Sequence, residues 1–189
     1  MSQTGEMTFW DHLEDLRTSI FRILTVFAVA VVALFFFKGF LFDCIILAPS
    51  KSDFFMYRLL SADFSMTLVN IEVAAQFLIH MKITFIMALI VTFPYMVLET
   101  WRFILPALYE RERKVIRGAF AFASVLFYIG VVVGYSVVFP LMLNFFSGYQ
   151  VSPDIPNTFS LTSYISLFTS LVLTFGIVFE FPTVVAVLS

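Results

Sequence analysis

Residues 161–188 read LTSYISLFTSLVLTFGIVFEFPTVVAVL, an almost unbroken apolar run longer than the roughly 20 residues a helix needs to cross a hydrocarbon core. Three similar runs precede it, at about 20–42, 77–98 and 119–146. Lipid offers backbone N–H and C=O groups no partner, so all four are expected to be helices. With 61% hydrophobic and 13% charged residues and a mean hydropathy of +0.99, the composition excludes an ordinary soluble domain. It fits an all-α polytopic membrane protein, a single transmembrane domain over 1–189. Pro94, Pro140 and Pro182 each delete an intrahelical hydrogen bond, so the bundle should be kinked. The 26 phenylalanines suit lipid-facing and helix-packing surfaces.

Charge placement sets an expected orientation. Arg17, Arg22, Arg102, Arg111, Arg113, Lys114 and Arg117 fall on one side of a four-span topology, and Lys38, Lys51, Arg58 and Lys82 on the other. By the positive-inside rule, the N-terminus and the connection between the second and third spans are cytoplasmic. Thr8-Phe-Trp-Asp11 matches a capping box ahead of Leu13, Leu16 and Ile20, predicting an interfacial helix at 8–19 that runs into the first span. Met1–Leu16 is acidic on balance, and no cleavable signal peptide is expected. On the far side, 43–76 is too long to be structureless and predicts a cap with a short helix at Phe54–Leu60. Gly148–Thr162 reads as a rigid turn around Pro153 and Pro156. Cys44 is the sole cysteine, so no intrachain disulfide can form; it reads as a packing residue or an incidental thiol.

The parts of an enzyme are missing. There is no HExxH, GxSxG, Gly-rich phosphate loop or Cys/His cluster, so neither catalysis nor a cofactor or metal is expected. His12 and His80 read as interface residues, and Lys82 as a snorkelling cation. Glu180 is different: an acid at membrane depth by default faces a protein interior, a cavity or a partner, and carries function. Glu99, near the end of the second span, opposes the helix macrodipole and calls for a polar partner. Glu14, Asp15, Glu110 and Glu112 complete a set of acids on the same side; the residues alone make Glu110 and Glu112 a solvated loop. A second reading is a small proton-coupled secondary transporter using Glu180. Against it stand the absence of a second acid deep in the bilayer and of paired broken helices.

Five segments in order carry a resemblance. His12-Leu-Glu-Asp-Leu-Arg17, Pro94-Tyr95 with Trp101-Arg-Phe103 through Arg113, Phe127-Tyr-Ile-Gly130, Phe139-Pro140, and Phe175-Gly176 with Phe179-Glu180 and Pro182 together resemble the TatC family, the multispanning core of the twin-arginine protein translocase. The resemblance implies six helices, of which this chain holds four, stopping at Ser189. It implies a receptor for twin-arginine signal peptides of folded precursors, in the cytoplasmic (inner) membrane, with TatA- and TatB-like single-span partners, self-association and dependence on the proton motive force, and no nucleic acid. Family members place one carboxylate in the N-terminal motif and one in the first cytoplasmic loop, which here are Asp15 and Glu112, with Glu14, Arg17 and Phe103 beside them. Asp15 stands where Glu is usual, and Glu14 is available to compensate. Carboxylates suit guanidinium groups through charge-assisted, bidentate hydrogen bonds that lysine cannot reproduce. Glu180 and Glu99 are then the intramembrane polar sites, the former for a partner's helix.

Overall fold

The computed structural model describes residues 9–60, 66–104, 110–152, 154–155 and 157–188. Helix α1 (Phe9–Phe36) is one rod, so the expected interfacial helix and the first span are continuous; the capping Thr8 lies outside the described residues. A π-helical turn (Phe40–Ile46), a 3-10 turn (Ala48–Ser50), α2 (Phe55–Leu60) and strand β1 (Leu68–Val69) follow. Then come α3 (Ala75–Ile104), α4 (Glu110–Val133), a second π turn (Gly134–Val138), α5 (Phe139–Gly148), β2 (Phe159–Ser160), α6 (Leu161–Phe179) and α7 (Phe181–Leu188).

Among the described residues four stretches are long and apolar enough to cross a membrane: Leu13–Phe36, Ala75–Ile104, Phe120–Gly148 and Leu161–Ala186. The shortest has 24 residues. At 1.5 Å per residue that is about 36 Å, more than the ~30 Å of a hydrocarbon core. Phe21, Leu24, Val29, Val32 and Phe36 of α1 are exposed, as are Phe122, Val132 and Phe181, forming a surface that lipid must cover.

Each proline produces a different local solution. Pro94 lies inside α3, which continues to Ile104, beyond the expected end of the span at 98. Pro94 has no N–H to offer the carbonyl four residues earlier, and the Tyr128 hydroxyl of α4 donates to that Ile90 carbonyl at 3.1 Å. Pro140 opens α5 directly after the second π turn, where an irregular register costs no extra hydrogen bond. Before Pro182 the fourth span breaks at Glu180, and α7 starts again at Phe181.

At the end away from Glu99, tyrosines hold the cap. A π turn leaves its last carbonyls without helical partners, and Tyr135 donates to the Ile45 carbonyl at 2.8 Å while Tyr164 donates to Ile46 at 2.6 Å. Tyr57 of α2 donates to Pro49 at 2.8 Å, and burial pushes its phenol well above the usual range. The predicted helix at Phe54–Leu60 corresponds to α2. The turn expected at 148–162 also contributes a strand: β1 and β2 pair in parallel, Leu68 with Phe159 and Val69 with Ser160, tying the two cap connections together. Asn157 caps α5 through its amide, which donates to the Tyr149 carbonyl at 2.9 Å; Pro153 and Pro156 lie outside the described residues. Cys44 is exposed rather than packed.

Helices α4 and α6 pack backbone to backbone. Gly130 near the end of α4 and Gly134 at the start of the second π turn form a small-xxx-small pair, the pattern that lets membrane helices approach backbone to backbone. A Cβ on Gly130 would collide with the Phe175 carbonyl and stand 2.9 Å from the Phe179 Cβ, and one on Gly176 would stand 2.8 Å from the Phe127 ring. Phe127 stacks on Phe93 of α3 with centroids 3.7 Å apart, and Phe139, Tyr164 and Phe168 extend this core toward the cap.

Candidate functional site

Phe35 stacks on His80, Phe27 meets Phe85 and Arg22 pairs with Glu99, so α1 and α3 run antiparallel in direct contact. At the Glu99 end, the carboxylate that sequence analysis left in want of a partner has two. Glu99 is fully buried; its Oε1 accepts from Arg102 at 2.7 Å, one helical turn away, and Oε2 lies 3.7 Å from Arg22 of α1. Oε2 has no hydrogen bond among the described residues, so the Arg22 contact is an ion pair at long range. A buried carboxylate is stable only with such compensation. Arg22 entered the sequence analysis only as a topology signal. Its role is traceable to one rule, that an acid in an apolar helix pairs with another charged or polar group within reach.

This clasp ties the half of α1 that carries the N-terminal acids to α3. Asp15 is two helical turns from Arg22 on the same face of α1, about 10 Å further along the helix axis. Asp15 thus lies toward the Glu99 end of α3, where Phe103 is half-buried. Glu14 and Asp15 are exposed, and Arg17 lies over the Phe21 ring, 5.6 Å from its centroid. Glu110 and Glu112, expected in a loop, belong to the first turn of α4, because a Glu-Arg-Glu-Arg-Lys run is made of helix formers and its acids suit a helix N-terminus. The Glu112 side chain lies outside the described residues. Trp101 and Phe120 meet at 5.4 Å, so α4 leaves beside the end of α3.

Glu180 sits far from this cluster in sequence, at the break between α6 and α7. Its backbone closes the gap, N–H to Ile177 and C=O to the Val184 N–H, both at 3.0 Å. Its half-buried carboxyl faces the Phe127 backbone, while Oε1 and the nearby Thr183 hydroxyl are buried without partners among the described residues. Buried polar atoms without partners are rare in folded proteins, which marks this break as a candidate polar site within the membrane span. Among the described residues no cluster of His, Cys, Asp or Glu could hold a metal ion. The His12 side chain lies outside the described residues; His80 is an aromatic packing residue between Phe35 and Phe42.

The family model described as Sec-independent protein translocase protein (TatC) matches residues 11–189. The chain belongs to the TatC family. It is 33% identical over 196 residues to the TatC protein of Blattabacterium from Periplaneta americana, covering 96% of this chain and 74% of that one. It is 33% identical over 188 residues to TatC of Halothiobacillus neapolitanus, covering 100% and 49%, and 38% identical over 127 residues to TatC of Escherichia coli K12, covering 65% and 47%. The chain thus spans about half the length of the latter two. A solved structure titled "Crystal Structure of Twin Arginine Translocase Receptor- TatC" superposes with a TM-score of 0.73 at 28% identity, over 92% of this chain and 72% of the other. This TatC chain is accordingly a multispanning component of a protein translocase, and the small-solute transporter reading gives way to a transport family of another kind.

Proposed function

We infer that this TatC chain is the receptor for twin-arginine signal peptides and the scaffold on which the translocase that exports folded proteins assembles. The observation that carries the reading is the clasp of Arg22, Glu99 and Arg102, which ties the Asp15 half of α1 to the end of α3 from which the chain passes on to α4. Asp15 and Glu112 there receive the two guanidinium groups, with Glu14 extending the shorter Asp15, Phe103 offering an apolar wall and Arg17 ordering the surface. That end is cytoplasmic and the membrane is the inner one, in line with the weight of Arg and Lys on that side. Glu180 and Thr183 meet a polar residue on the helix of a TatA- or TatB-like partner. The proton motive force acts through the assembled complex. The chain performs no enzymatic step of its own.

The test is binding of a twin-arginine peptide and its twin-lysine counterpart to the purified chain. The arginine peptide should bind at least tenfold tighter, and Asp15→Ala and Glu112→Ala should each erode that difference; equal binding of both peptides would sink the assignment.

A further inference from the structure

We propose that the cleft between α3 and α4 is a site for one net-anionic phospholipid, its phosphate on the Arg102 guanidinium and an acyl chain between the helices. The cleft has a volume of about 570 Å³, in the range of small-ligand sites, and opens at the Glu99 end of the bundle. Its walls are apolar, from Pro94 and Leu98 on α3 to Phe120 on α4, with Ser124 and Ala121 keeping the α4 side shallow. Trp101 lines the same cleft, the residue type that settles at headgroup level.

Charge selects the occupant. Arg102 lines the cleft, is more than half exposed, and meets Glu99 through one of a guanidinium's five N–H donors. The buried carboxylate behind it orients that guanidinium before any ligand arrives. Two arginines on one glutamate leave this layer with a net positive charge. A basic mouth over an apolar cleft between spanning helices is the pattern that holds anionic headgroups. The site shares Arg102 with the clasp of the receptor reading, but lipid retention and twin-arginine peptide binding are measured separately, so either can fail alone.

The test uses the whole chain in nanodiscs of equal phosphatidylcholine and phosphatidylglycerol with matched acyl chains, with the lipid retained after extraction counted by native mass spectrometry. Retained phosphatidylglycerol should exceed phosphatidylcholine about fivefold, the factor expected for one cation at an anionic headgroup. Arg102→Gln should bring the ratio close to one, and Arg102→Lys should keep part of it, as a charge without the planar fork. Ser124→Phe should fill the cleft and remove both lipids, while Arg58→Gln at the opposite end should change nothing. A ratio of one in the unaltered chain, selectivity that survives Arg102→Gln, or an undiminished lipid count in Ser124→Phe would each overturn the proposal. So would retention of an apolar peptide in place of lipid with the same dependence on Arg102.

Discussion

Replacing Tyr128 by Phe deletes one hydroxyl, and its consequence should depend on a residue in another helix. The hydroxyl donates at 3.1 Å to the carbonyl of Ile90, a residue only 6% exposed, and the regular donor to that carbonyl is missing because position 94 is proline. Net hydrogen bonds are worth about 0.5–1.5 kcal/mol, and stranding a buried acceptor costs about 1–3 kcal/mol. Membrane-protein hydrogen bonds fall at the low end of such ranges, averaging roughly 0.6 kcal/mol, so Tyr128→Phe should cost about 1 kcal/mol. In a Pro94→Ala background the new N–H closes the ordinary bond to Ile90, and the same change should cost only a few tenths of a kcal/mol. The double-mutant cycle therefore predicts a coupling of roughly 1 kcal/mol between two side chains that share only the Ile90 carbonyl. Reversible unfolding in mixed micelles, followed by far-UV circular dichroism, gives the four stabilities. An equal cost of Tyr128→Phe in both backgrounds would refute the account of α3 and its proline.

Gly130→Ala should destabilise by about 1–3 kcal/mol through overpacking, whereas Gly118→Ala, with nothing within 4 Å of the added carbon, should be neutral or gain up to about 1 kcal/mol in helix propensity; thermal unfolding of the two variants checks the contrast. Arg22→Ala should loosen α1 from α3, giving faster proteolysis near residue 13 and weaker twin-arginine peptide binding, with Arg22→Lys in between; if binding is untouched while α1 is released, the clasp does not position Asp15. Crosslinking to a partner helix should survive Glu180→Gln, fall in Glu180→Ala and fall most in Glu180→Lys, and a Gln variant as poor as Lys would mean that titration of the acid matters. In a Cys44→Ala background, Lys51→Cys should be labelled only from the non-cytoplasmic face, and labelling from the cytoplasm would reverse the orientation.

Four helical spans were legible in the sequence because a membrane leaves backbone polar groups only one way to be satisfied, and apolar length reports it directly. The demand of Glu99 for a polar partner and the kink-forming prolines were legible on the same grounds. The Gly130–Gly134 spacing was present too, yet its meaning lies in the Phe175 carbonyl that packs against it. What only the tertiary structure decided were the pairings between distant segments. Arg22 reaches Glu99 across 77 positions, the difference of 99 and 22, because antiparallel packing brings the two helices side by side and the long guanidinium side chain spans what is left. Tyr128, Tyr135 and Tyr164 find carbonyls on other elements that prolines and π turns had left open. Apolar periodicity fixes which segments are helices, since it is a local property of the chain. It carries no record of which helix will present a donor to a vacant acceptor, and that depends on crossing angle, depth and rotation, which exist only once the helices have packed.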